Sequence, residues 1–190
     1  MQTVDLFKEH KTEYTTPKKP VLVNVGQGHY LAVSGQGEPG GPEFQEAVGA
    51  LYAMAWTLKM TRKFGGEPDF KVGALEGVYH DRCDWQLLIR VPSFVTKAEI
   101  KKAAETLVKK GKPDAVRRVE LIRLKEGQCT QVLQVGPYET VMQTVETLKT
   151  WAAEQGLQCN GPLHEVYLND PRRVAPEKIK TIVRHPVKKA

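Results

Sequence analysis

The sequence predicts an α+β domain. Duplicated strand–helix–strand–strand units would form an antiparallel sheet with two long helices and a pseudo-two-fold ligand groove. Three observations lead there. Long helical patterns occur twice, at 43–64 and after "VGPY" (135–138), each flanked by strand-like stretches. "LEGVY" (75–79) is echoed by "LHEVY" (163–167), each behind a long helix and ahead of a closing strand. The remaining runs alternate apolar and polar residues and read as hairpins, not as repeated βα units.

"KPVLVNVGQGHYLAVSG" (19–35) reads as strand, turn, strand. In the first long helix Phe44, Ala47, Val48, Leu51, Ala55 and Leu58 recur at helical spacing, and Tyr52, Trp56 and Met60 add a second stripe. A helix with two stripes buries more than one side. Gly65–Gly66 end it. "DFKVGALEGVYH" (69–80) and "DWQLLIRVP" (84–92) are strand candidates, with Trp85, Leu87, Ile89 and Val91 on one face of the second. Thr96 and Glu99 form a capping box that opens a short amphipathic helix along Ile100, Ala103, Ala104 and Leu107. "RVELIRLKEGQCTQVLQV" (118–135) reads as a hairpin turning at Glu126–Gly127. The second long helix carries Val141, Val145, Leu148 and Ala152 on one side, with Gly156 at its C-terminal end. "LHEVYLND" (163–170) and "KIKTIVRHPV" (178–187) are the last strands. The expected organisation is a single domain over 1–190 made of two pseudo-symmetric halves, 20–95 and 112–190, joined by a helical linker at 96–111.

Composition narrows the function. No run of about 18 apolar residues offers a membrane span, and the polar N-terminus lacks the apolar stretch of a secretory signal. Cys83, Cys129 and Cys159 are scattered, without metal-ligand or disulfide spacing. A reduced, cytoplasmic protein with no metal, no cofactor and no membrane partner is expected. The net charge of +6 raises nucleic acid as a partner. The lysines, however, concentrate in "TKAEIKKAAETLVKKGK" (96–112) with no aromatic interleaved. They read as a solvated helix face, so no direct nucleic-acid binding is expected. Only about 20 residues precede the first strand, too few for a helix-turn-helix domain. A separate regulator protein would be the partner in any transcriptional role.

"GQGEPGG" (35–41) fits the G-x-G-x-x-G dinucleotide fingerprint. That motif needs a parallel βαβ unit and a helix N-terminus free of negative charge. Here Glu38 and Glu43 crowd the turn, and the surrounding pattern is hairpins. The stretch reads instead as a loop at the mouth of a helix, or at the rim of a groove.

Alternation puts Leu163, Glu165 and Tyr167 on one face of their strand, and Leu75, Gly77 and Tyr79 on one face of the matching strand. The pseudo-symmetric site would hold two tyrosines and one carboxylate, with space opposite Glu165 because its counterpart is Gly77. Tyr79, Trp85, Tyr138 and Tyr167, with Trp56 on the helix, are expected to line or border one cavity around Glu165. Such a group suits an amphipathic aromatic or cationic small molecule. A surface Glu165 on a half-exposed sheet is the alternative reading. His164 and His185 belong to no metal-ligand pattern and read as core or surface residues, and His10, His29 and His80 form no pair at i, i+4. No nucleophile elbow and no Cys–His pair is evident.

"PEFQEAVGALYAMAWTLKM", "LEGVYHDRCDWQLLIRVPSFVT", "VGPYETV" and above all "LHEVYLNDPRRVAPEKIKTIVRHPV" resemble the GyrI-like small-molecule-binding proteins. The resemblance covers nearly the whole chain. It implies an eight-stranded antiparallel sheet crossed by two helices, the fold of the effector sensor in multidrug-responsive transcription regulators. It implies that Glu165, in the "HEVY" position, is the pocket glutamate that meets cationic ligands. Some stand-alone members hydrolyse the cyclopropane ring of DNA-alkylating natural products and so confer xenobiotic resistance; in them this position is a candidate catalytic carboxylate, here a general base. The loop at 35–41 matches a family loop beside the groove. Where many stand-alone relatives carry a Trp-Trp pair, this chain has Tyr79 and His80, a smaller and more polar stacking surface.

Overall fold

A computed structural model describes residues 3–190. The chain forms β1 (Thr3–Val4), α1 (Leu6–Glu9), β2 (Val21–Gln36), α2 (Pro42–Phe64), β3 (Asp69–Phe70), β4 (Leu75–Tyr79), β5 (Asp84–Val91) and α3 (Lys97–Lys109). It continues with β6 (Glu120–Val135), α4 (Val141–Glu154), β7 (Leu157–Cys159), β8 (Leu163–Tyr167) and β9 (Lys180–Lys189), with short 3₁₀ turns before β6, α4 and β9.

The main sheet is antiparallel throughout and has seven strands, in the order β6-β2-β5-β4-β8-β9-β7. It also closes: Cys129–Val135 of β6 pair with Lys180–Pro186 of β9, so six strands make a ring and β7 extends β9. Closure explains the two 16-residue strands. The C-terminal part of β2 pairs with β5 and most of β2 pairs with β6, which in turn hands over to β9. The turn expected within 19–35 and the hairpin expected at Glu126–Gly127 are therefore bends in continuous strands. Gly127 sits at φ +73°, a left-handed conformation that kinks β6 without reversing it. The bend turns the Glu126 side chain into the ring.

Helix α2 crosses the outer face of β2 and β5. It buries Leu51, Met54, Ala55 and Leu58 against Leu31, Val33, Leu87 and Ile89, with α3 packed alongside. Pro42 at its start has no amide to leave unpaired, Glu43 lies in its first turn, and Arg62 and Lys63 lie in its last, complementing the helix dipole. The Thr96–Glu99 capping box forms as the sequence predicts. Helix α4 packs a smaller cluster, Val141, Val145 and Leu148, on Val132 and Val183. β4 and β8 lie between the territories of the two helices, so their outer faces form the floor of a groove.

Glycine in the "GQGEPGG" stretch serves packing. A Cβ on Gly35 would stand 2.2 Å from Cη2 of Trp85, and the Trp85 indole donates to the Gly37 carbonyl at 3.1 Å. No phosphate cradle is needed to explain it.

Candidate functional site

The groove between α2 and α4 is a cavity of about 1370 Å³. Phe44, Val48, Tyr52 and Trp56 form a ridge at i+4 spacing along α2 and line one wall. Tyr138, Val141, Met142 and Val145 line the other. Leu75 and Tyr79 of β4 and Leu163, Glu165 and Tyr167 of β8 make the floor. Leu6 and Phe7 of the N-terminal segment and the 168–173 loop also line the cavity. Pro39 and Gly40 of the glycine loop lie on the rim.

The register sets the centre of the floor. Gly77 stands opposite Glu165. A Cβ there would approach the Tyr167 hydroxyl and Tyr79 Cε2 to 2.9 Å, and the Tyr79 hydroxyl to 3.1 Å. Its absence lets the two hydroxyls meet 2.5 Å apart, above the gap. The Tyr138 ring stands edge-on to Tyr167 with centroids 5.7 Å apart. Glu165 is 8% exposed and has no salt-bridge partner among the described residues. Burial pushes its carboxyl from an ordinary 4.5 up to about 7, against the smaller opposing pulls of the Tyr167 hydroxyl and of His164. Burial, and then the Glu165 charge, likewise raise Tyr79 and Tyr138. Both groups stay protonated phenols at neutral pH.

Five of the six expected site residues, Glu165, Tyr167, Tyr138, Tyr79 and Trp56, line this one cavity. Trp85 does not. Its side chain points to the same outer face as Tyr79, but it is 1% exposed and packs edge-on against Phe44 at 5.1 Å, behind the wall. Alternation fixes the face of a strand but not whether a helix covers it, and α2 covers Trp85.

The opposite face of β4 and β8 points into the ring and carries a charge cluster that sequence reasoning did not assemble. His164 is fully enclosed, its Nε2 2.8 Å from Glu76 and its Nδ1 3.0 Å from Glu126. Arg184 donates to Glu126 at 2.8 Å and to Gln131 at 2.7 Å. The N-terminal segment inserts Glu13, which accepts from Arg90 at 2.6 Å, and Tyr14, which donates to Glu76 at 2.8 Å. Burial opposes a charge on His164, but the two carboxylates outweigh it and raise its pKa from 6.5 to about 9. In return, and against its own burial, Glu126 is lowered to about 2 by His164 and Arg184. With His164 protonated, three cations face three carboxylates. The partners lie in the N-terminal segment and on five strands of the ring, so no local motif announces them.

The described residues contain no group of His, Cys, Asp and Glu able to hold a metal, and no helix long and apolar enough to cross a membrane.

A ring of antiparallel strands with two helices over a ligand-sized groove is the architecture of a small-molecule-binding domain. The chain belongs to the GyrI-like small molecule binding domain family, which matches residues 18–188. It is similar to a hydrolase from Listeria innocua, with 39% identity over 98% of this chain and 100% of that chain, and a TM-score of 0.90. A conserved, uncharacterized Listeria innocua protein is 37% identical over the same shares, also with a TM-score of 0.90. The C-terminal domain of EcmrR shares the fold at 12% identity and a TM-score of 0.55, over 90% of this chain and 98% of that chain. No curated protein matches the sequence.

Proposed function

We propose that this protein is a hydrolase that opens activated cyclopropanes, the reactive group of DNA-alkylating natural products, and so gives resistance to them. One observation carries the reading: Glu165, a lone carboxylate without a cation, lies on an aromatic-walled floor with its pKa brought to about 7. A general base is most effective when its pKa lies near the working pH. The similarity to Listeria hydrolases supports the same class. At about 1370 Å³ the cavity exceeds the ~300–1,000 Å³ of ordinary ligand sites, which suits an extended multi-ring substrate.

In this reading the substrate lies between the α2 ridge and Tyr138, its cyclopropane over the floor. Glu165 takes a proton from water as the water oxygen bonds to a ring carbon. The strained carbon–carbon bond breaks, and its electron pair moves into the conjugated carbonyl, whose oxygen becomes a phenolate. The product is the ring-opened alcohol.

The test is incubation with an activated cyclopropane and mass analysis for addition of one water. Turnover should rise with pH through about 7 as Glu165 ionises, then level off. Glu165→Gln should keep substrate affinity and lose about 10²–10⁴-fold in turnover. No product above the uncatalysed background refutes the reading. A second reading, binding of organic cations without chemistry, draws on the ring faces of Tyr138 and Trp56 around the same carboxylate. In that case Glu165→Gln would weaken cationic ligands and spare neutral ones.

A further inference from the structure

Ring opening leaves a proton on Glu165 and a negative charge on the substrate's former carbonyl oxygen, at two separate places in the cavity. We propose that Tyr167 and Tyr79 form a relay that returns this proton, with Tyr79 as the catalytic acid that donates to the oxygen. This rests on the hydrolase reading above.

The geometry supplies the parts. Glu165 and Tyr167 sit two residues apart on one face of β8, and the Tyr167 hydroxyl lies over Gly77, the residue opposite Glu165. The Tyr167 and Tyr79 hydroxyls are 2.5 Å apart, and either can be the donor. Tyr79 and Tyr167 both line the cavity. The missing Cβ of Gly77 makes the contact possible, since one would crowd both hydroxyls.

Counting protons gives the direction. With Glu165 ionised, Tyr167 donates to the carboxylate and Tyr79 donates to Tyr167. Neither hydroxyl proton is then free for the substrate. Once Glu165 has taken the water proton, the chain reverses: Glu165 donates to Tyr167, Tyr167 to Tyr79, and Tyr79 presents its proton to the cavity. Transfer from Tyr79 to the phenolate oxygen, from Tyr167 to Tyr79 and from Glu165 to Tyr167 restores every group. One negative charge passes from Glu165 to the substrate and back, and no tyrosinate persists. Both phenols resist ionisation because of burial and the Glu165 charge, which favours concerted transfer over a tyrosinate intermediate. A donor that becomes available only after base catalysis also avoids activating the alkylating agent before a water is in place.

The experiment uses Tyr79→Phe and Tyr167→Phe, and activated cyclopropanes whose ring-opened products are phenols of graded acidity. For the least acidic phenol, each variant should lower kcat by about 10²-fold, the lower end of general acid catalysis, with KM little changed. For the most acidic phenol the loss should shrink toward none, because that phenolate forms readily without a proton. A purely structural role would cost the same factor for every substrate. Equal losses across the series, or no loss in Tyr79→Phe, overturn the relay while Glu165 dependence leaves the hydrolase standing. If the wild type hydrolyses no member of the series, the hydrolase reading fails and the relay falls with it.

Discussion

Replacing Glu165 by Gln should stabilise the protein, and the gain should depend on pH. In the folded chain the carboxyl titrates at about 7, against an ordinary 4.5. A raised carboxyl pKa means that between those values the folded protein keeps a proton the unfolded chain has lost. Stability from this residue is therefore full below 4.5 and falls as pH rises to about 7, beyond which the penalty is constant. At 1.36 kcal/mol per pH unit, this interval is an upper bound of about 3 kcal/mol. Local relaxation of the tyrosines trims it, so about 2 kcal/mol is expected at pH 8. For a chain of this size that is a melting-temperature difference of about 4–8 °C. Gln fills the same space and carries no charge. Urea or thermal unfolding of both proteins at pH 4 and pH 8 measures the effect as a difference, which cancels every other titrating group. The expected differences are close to zero at pH 4 and about 2 kcal/mol in favour of Gln at pH 8. The same difference at both pH values, or a wild type more stable than the variant at pH 8, would refute the assignment of a desolvated Glu165 without an ion-pair partner.

The other expectations concern the frame around that residue. His164→Gln leaves Glu76 and Glu126 buried without their shared cation and should cost about 3–5 kcal/mol at neutral pH, read by urea unfolding. In the wild type the stabilisation from His164 is complete below 6.5 and should be lost as pH rises through about 9. Gly35→Ala should cost about 1–3 kcal/mol or more, because its Cβ would stand 2.2 Å from an indole that has nowhere to move. Gly77→Ala should leave unfolding within about 1 kcal/mol, since tyrosine tips at a cavity can yield. By parting those hydroxyls it should reduce turnover, which steady-state kinetics would show.

The sequence made the floor of the groove legible and left the ring illegible. Period-2 alternation put Leu163, Glu165 and Tyr167 on one face, and the internal echo put Gly77 opposite Glu165; the register joins that same pair. Both signals are local, or pair two nearly identical pentapeptides. The bend at Glu126–Gly127 looked like a hairpin because a glycine with positive φ serves a tight turn and a kinked strand equally well. What decides is whether the following residues pair back or go on to a new neighbour, and β9 lies some 50 residues away by number (Val132 opposite Val183). Misplacing that bend also hid Glu126, which as a hairpin tip would face solvent. Trp85 shares the outer strand face of the cavity residues, yet it is buried against Phe44. The size of Gly35, which admits the indole into the core, becomes informative only once β2 and β5 are paired.

Glu76 and Glu165 occupy neighbouring rungs of the same strand pair, opposite Val166 and Gly77, and their different fates show how the fold separates stability from chemistry. Glu76 points inward, where Tyr14 and His164 both satisfy it. Glu126, also inward, is held near 2 by His164 and Arg184. Both are committed to buried partners that tie strands of the ring together. Glu165 points outward, shares the cavity with Tyr79, Tyr138 and Tyr167, and is raised by burial to about 7. The nearest cation, His164, is the residue before it in sequence and lies on the other face of the sheet. There it only moderates the effect of burial. One-residue alternation along β8 thus assigns the paired charges to the interior and the unpaired one to the cavity. Substitutions on the inner face should move unfolding far more than turnover, and those around Glu165 should do the reverse. A pair such as His164→Gln and Glu165→Gln, measured for both quantities, distinguishes this division from a site whose chemistry depends on the interior cluster.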